Sequence, residues 1–206
     1  MQQATGRPAD RRQMILEAAR ITLREKGFSA TRMDDIAGRV GIARPNLYRY
    51  FAKKEDLVRA LLEVEILETH NQRRHRIPVR GPVRPILVES LHVGADLARG
   101  NELLSLIFAD SLADVTARLV ADDDELLALE TEYWRPILEH GRRRNELRPG
   151  LSDDRILRWF MTNHYVLMSR PELVGEDIRS WIDDFVVPPV LAGAGAAAEA
   201  PERKAP

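Results

Sequence analysis

The sequence contains no cysteine. That absence removes disulfides, thiolate metal sites and cysteine nucleophiles together. No apolar run approaches the roughly 18 residues that a membrane-spanning helix requires. No charged-then-apolar signal segment opens the chain either, so the expected location is the cytoplasm, with no membrane contact. Nucleophile-elbow, P-loop and dinucleotide signatures are missing too, and an enzyme is not expected. Excess charge is also lacking, the net being −1. What remains is ordinary for a globular chain: 206 residues, 44% hydrophobic and 31% charged. That is enough for a real core and for one or two domains.

The near-zero net charge hides an asymmetry. Residues 1–60 carry 13 Lys/Arg against 7 Asp/Glu, and the remainder carries 18 against 25. Chance clustering is one reading; a polyanion-binding head on an acidic body is the other.

Three short helices are legible in the head. The first is expected from about Asp10 to Lys26, with Asp10 as its N-cap and Gly27 as its stop. Ile15, Ala18, Ala19, Thr22 and Leu23 fall at helical spacing on its inner face. Phe28 should plug the core under the turn. The second helix runs from Thr31 or Arg32 to Gly41, with Thr31 and Asp34 in a partial capping arrangement and Ile36, Ala37 and Val40 buried. The third starts at a marked place. Pro45 disfavours a helical Arg44 and suits a first helical turn. Arg44, Pro45 and Asn46 then form an exposed tip, Leu47 and Phe51 face inward, and Tyr48, Arg49 and Tyr50 point outward or sideways.

Such a tip suits DNA. Arginine donates two hydrogen bonds to guanine and asparagine pairs two ways with adenine. Tyr48 and Tyr50 offer hydroxyls to phosphates, and Lys53 and Lys54 stand where they meet the DNA backbone. Taken singly, the tyrosines also read as core with a wet hydroxyl and the lysines as a solvated turn. The glycine turn and the basic surplus together favour a helix-turn-helix placed in the major groove.

The run GFSATRMDDIAGRVGIARPNLYRYFAKKEDL resembles the DNA-binding head of the TetR family of transcriptional regulators. Gly27-Phe28, Thr31, Ile36-Ala37, Gly41-Ile42, Leu47-Tyr48, Tyr50-Phe51, Lys54-Glu55 and Leu57 carry the likeness, which covers about residues 9–69 with its motif at about 32–51. It implies an all-α fold, with a three-helix helix-turn-helix head and a helical ligand-binding and dimerisation body at 70–191. The residues implied at the DNA are Thr31, Arg32, Arg44, Pro45, Asn46, Tyr48, Arg49, Tyr50 and Lys54. Two positions depart from the pattern: Arg32 replaces the usual Thr or Ser cap of the second helix, and Ala43 the serine that caps the third. Losing such a cap costs about 1 kcal/mol.

In the body, a long helix from Glu55 precedes a Pro/Gly break at 77–85, and a further helix spans about Val83 to Ala98. Asn101 reads as the N-cap of ELLSLIFADSLADVTARLV, and the acidic run 122–125 as the start of a helix that Pro136 should kink. Ser152-Asp153-Asp154 and Gly175-Glu176-Asp177 open the last two helices, and residues 192–206 read as a disordered tail. The family pairs its last two helices with those of a second copy. The expected dimer face is therefore Ile156, Trp159, Phe160, Ile178, Trp181 and Phe185, with intrachain core as the other reading of the tryptophans.

A pocket in the body is implied by the resemblance alone, with His92, Leu103, Ile107, Phe108, Tyr133, Trp134, Ile137, Asn163 and Leu167 as its lining. His164-Tyr165 with Asn163 read either as a polar handle there or as a satisfied core cluster, and His70 and His75 as solvated. His92 and Asp96, with Glu89 before them, have metal-ligand spacing but lack the further ligands a metal needs; no metal and no cofactor are expected. The expected function is a homodimeric, ligand-responsive, sequence-specific regulator, a repressor that a small, fairly apolar effector releases from a palindromic double-stranded operator. The alternative is a ligand-independent co-regulator or architectural protein.

Overall fold

The computed structural model describes residues 8–108, 123–175 and 177–193. Helix α1 spans Pro8–Ala30, so Asp10 lies in its first turn and does not cap it. Gly27 breaks the helix at φ 74°, a left-handed conformation that favours glycine. Helix α2 (Met33–Val40) ends on Gly41, also left-handed, and the turn delivers α3 (Arg44–Tyr48). The α2 N-terminus is tied by Asp35, not Asp34: its carboxylate accepts from the Arg32 N–H at 2.9 Å. At α3, Ala43 supplies no side-chain cap, and Pro45 sits in the first turn as its fixed φ favours.

Helix α4 (Lys54–Arg76) runs from the head into the body. There it meets α5 (Val83–Arg99), α6 (Glu102–Phe108) and α7 (Asp124–Arg143). Asn101 caps α6 by accepting from the Leu103 and Leu104 N–H groups, and Asp123 caps α7 in the same way. Helix α7 continues through Pro136 as one element. Helix α8 (Asp153–Ser169) packs on α5, α6 and α7. The last predicted helix is reduced to α9 (Ile178–Trp181), capped by Asp177; it widens into a π-turn at Ile182–Val186 and ends in a 3₁₀ turn at Pro188–Val190, where two prolines stop further helix. The predicted segment at 109–120, Asp122, Glu176 and residues 194–206 lie outside the described residues.

The described residues contain no strand, only one antiparallel bridge between Leu147 and Leu191. Ala192, placed by sequence in the tail, donates to the Glu146 carbonyl at 2.9 Å. The core forms two clusters. One joins the head to Ala98, Leu103, Leu104 and Ile107 of the body, so apolar packing is continuous past residue 69. The other fills the space between α5, α7, α8 and the C-terminal turns.

Candidate functional site

The exposed tip is built by burying what lies beneath it. Leu47 and Phe51 anchor α3, leaving Arg44, Pro45, Asn46, Tyr48 and Arg49 exposed, with Arg32 exposed beside them and Tyr50 half-buried against the core. Arg44 is held in place. Its guanidinium bonds both carboxylate oxygens of Asp34, at 3.0 and 3.1 Å, and lies over the Tyr48 ring, donating to that hydroxyl at 3.3 Å.

Two residues expected at the same surface are turned inward. Thr31 is only 2% exposed, and its hydroxyl donates to the Gly27 carbonyl at 2.6 Å, closing the α1 turn. Lys54 lies over the Phe28 ring and its ammonium donates to the Phe28 and Thr31 carbonyls at 2.5 and 2.9 Å. Both hold the turn in shape: Thr31 is buried, and the half-buried Lys54 ammonium uses two of its three donors on carbonyls. Their family positions are structural ones here, because the break at Gly27 leaves carbonyls that need donors.

The dimer-face expectation divides similarly. Ile156, Phe160 and Ile178 are buried within the chain, because α8 and α9 turn those residues onto α5 and α7. Trp159 and Phe185 stay 39% and 60% exposed, and the Trp181 ring packs at a tilt against Phe185 with centroids 4.8 Å apart.

The body holds a half-open cavity of about 90 Å³ between α4, α5, α6, α7 and α8. That is room for several water molecules at about 10–15 Å³ each. Of the expected lining only Phe108 takes part. On α6 and α8 the lining is offset by one position: Leu104 faces the cavity in place of Leu103, and Met168 in place of Leu167. His164 and Tyr165 line it, while the Asn163 amide turns back to the Trp159 carbonyl at 2.8 Å. Tyr133, Trp134 and Ile137 form the second core cluster. His92 lies 3.4 Å from Asp96, and the described residues contain no metal-binding group of three or more such side chains.

Sequence reasoning missed the polar wall: His70, Arg73 and Glu130. His70 is buried, not solvated, and stacks on Tyr133. It shares a 3.0 Å hydrogen bond with Glu130, whose other oxygen accepts from Trp134 Nε1 at 3.1 Å. The apolar stripe of Leu62 and Ile66 simply continues as Thr69, His70 and Arg73 at helical spacing, and that periodicity was the available signal. Gly94 makes the wall possible, since a Cβ there would stand 2.8 Å from His164 Cε1.

Burial pushes the Glu130 carboxyl up, but the His70 hydrogen bond and the charge of Arg73 outweigh it and hold it at about 2. Burial and then Arg73 press His164 from 6.5 down to about 4, against the pull of its hydrogen bond to the Leu91 carbonyl and the charge of Glu130. Both shifts favour the deprotonated form in the native state, so the unfolded chain binds more protons and acid destabilises the fold. Stability contributed by His164 is complete above pH 6.5 and is lost as pH falls towards 4; the Glu130 share is complete above 4.5 and is lost towards 2. Urea midpoints should therefore fall on acidification from neutrality. His164→Gln should flatten the first stage; an unchanged slope in that mutant would refute the assignment.

Helix α6 touches both regions. Leu104 and Phe108 line the cavity, Glu102 pairs with Arg24 of α1, and its cap Asn101 donates to Glu65 at 2.5 Å. Buried Glu65 in turn pairs with Arg20 of α1 at 2.7 Å.

A short turn-linked helix pair with an exposed basic tip, joined to a helical body that holds a cavity, defines a helix-turn-helix protein. Residues 15–61 match the family described as bacterial regulatory proteins, tetR family. Over 121 residues the chain is 28% identical to an uncharacterised HTH-type transcriptional regulator of Mycobacterium tuberculosis (strain CDC 1551 / Oshkosh), covering 58% of this chain and 62% of that protein's length. The HTH-type transcriptional repressor KstR2 of the same strain is 40% identical over 62 residues, covering 30% of this chain and 31% of its own. The fold is shared with the transcriptional regulator FadR from Bacillus subtilis in complex with stearoyl-CoA: TM-score 0.59, 18% identity, 85% of this chain and 95% of that one. The match places a TetR-type DNA-binding domain in the head of the chain, over residues 15–61.

Proposed function

We propose that this protein is a homodimeric, sequence-specific DNA-binding transcriptional repressor, released from a palindromic operator when a small molecule fills the body cavity. The observation that carries this is helix α6, whose one face lines the cavity while Glu102 and Asn101 connect it to the head. An occupant pressing on Leu104 and Phe108 displaces the contacts that set the position of α1. The ligand then favours head positions that no longer fit two half-sites about one helical turn apart. The repressor function named for KstR2 and the stearoyl-CoA bound by FadR support the two halves of this reading.

Arg44 and Asn46 are the proposed base readers. With operator fragments selected from random DNA, Arg44→Ala or Asn46→Ala should cost about 1–3 kcal/mol and relax preference at one base position each. Asp34→Ala, which removes the acid holding Arg44, should strengthen binding to all sequences and narrow the gap between operator and random DNA. Unchanged anisotropy titrations in all three would sink the docking proposal. Release by a titrated small molecule separates a sensor from a ligand-independent architectural protein.

A further inference from the structure

We infer that the cavity takes a small organic monoanion, a monocarboxylate with an apolar body, whose carboxylate is gripped by Arg73. This rests on the reading of the cavity as the effector site and adds the chemistry of the effector.

Arg73 lines the cavity, yet its residue is only 1% exposed. The guanidinium is held from behind by aromatic faces, 3.8 Å from the Tyr133 ring centroid and 5.1 Å from that of Trp134. Its Nε and Nη2 have no hydrogen-bond partner among the described residues. A buried cation with orphaned donors is costly, and these two nitrogens form one edge of the guanidinium fork. The group that completes such a fork is a carboxylate, which accepts two parallel hydrogen bonds.

The neighbouring groups narrow the choice. Glu130 is the acid nearest in function, but both its oxygens are already engaged, one by His70 and one by Trp134. It balances the charge of Arg73 without satisfying its donors. An ionised Glu130 in the same wall repels a second negative charge, so a dianion is disfavoured. Arg73 repels an amine. His164 bonds the Leu91 carbonyl at 2.9 Å through Nε2, which therefore carries the proton; held neutral, it adds no second positive charge. Beside these polar groups the lining includes Leu62, Ile66, Leu104, Phe108, Met161 and Met168, whose side chains are apolar. Two methionines among them let the space adapt to an alkyl or aryl body.

The test uses the purified full chain, calorimetric titration, and three series of equal chain length: monocarboxylates from butanoate to dodecanoate, primary alcohols and primary amines. At least one monocarboxylate should bind tenfold or more tightly than the matching alcohol, with no amine binding. Arg73→Met should abolish that preference while leaving the thermal midpoint unchanged or raised, because an unsatisfied buried cation has been removed. Arg73→Lys, which keeps the charge and loses the fork, should weaken the carboxylate at least tenfold and covers the case in which the methionine variant does not fold. Arg76→Met, on the exposed part of the same helix, should change nothing. Equal binding of acids and alcohols, no binding of any acid, or unaltered acid binding in both Arg73 variants overturns the inference. Operator titrations keep the two readings apart. If an alcohol releases DNA as well as the acid does, the anion site falls and the sensor stands. If the acid binds through Arg73 yet leaves DNA affinity unchanged, the sensor reading falls and the site stands.

Discussion

Phe185→Asp is expected to convert a dimer into a folded monomer and to lower affinity for a two-half-site operator by about a thousandfold, the usual gap between specific and non-specific binding at its lower end. The reasoning is local. Phe185 is 60% exposed and is braced by Trp181, so an aspartate there disturbs little within the chain. Trp159, itself partly exposed, is fixed by its Nε1 hydrogen bond to the Val186 carbonyl at 2.8 Å and presents its ring beside the same C-terminal turn. A rigid aromatic pair with low side-chain entropy is what interface centres favour, and a charge placed there must be desolvated without a partner. Sedimentation should report the monomer, circular dichroism an unchanged helix content, and anisotropy the lost affinity. A dimer that survives the substitution would place the interface elsewhere.

The largest effect on stability is expected from Trp134→Ala, about 3–5 kcal/mol. Against a typical total of roughly 5–15 kcal/mol, that leaves little of the fold at physiological temperature. Trp134 is 1% exposed and contacts Tyr133 edge-on at 5.2 Å and Phe160 at 4.9 Å. The truncation also strips Glu130 of a donor and Arg73 of an aromatic face. Trp134→Phe separates these contributions: it keeps most of the packing, loses the Nε1 donor, and should cost about 1–3 kcal/mol, with the carboxyl of Glu130 titrating higher. Urea denaturation read against pH distinguishes the two variants.

The head was legible because its signals are local. Gly27 and Gly41 sit where the backbone turns left-handed, Pro45 lies in the first turn of α3, and Leu47 with Phe51 keeps the reader against the core. What the sequence misled about was direction. Thr31 and Lys54 are polar residues beside a basic surface, and only the path of the carbonyls at Gly27 and Phe28 turns them inward. In the body, apolar spacing located most of the described helices but not which neighbour each apolar face meets: Tyr133, Trp134 and Ile137 of α7 enter the core, and Leu126 and Glu130 line the cavity. His70, expected to be solvated, is buried because its partner comes from α7, Glu130 lying 60 positions away. The helical path that starts at Ile178 ends in the 3₁₀ turn of Pro188 and Pro189, residues that cannot continue a helix.

The clasp of Lys54 on two carbonyls carries a mechanical consequence. Its ammonium belongs to the first residue of α4, and the groups it grips belong to the turn that launches α2. A shift of α4 would therefore be passed to the turn ahead of α2. On the proposed mechanism, two heads would then change their grip like the jaws of callipers: the span between the tips would alter, while the shape of each tip would not.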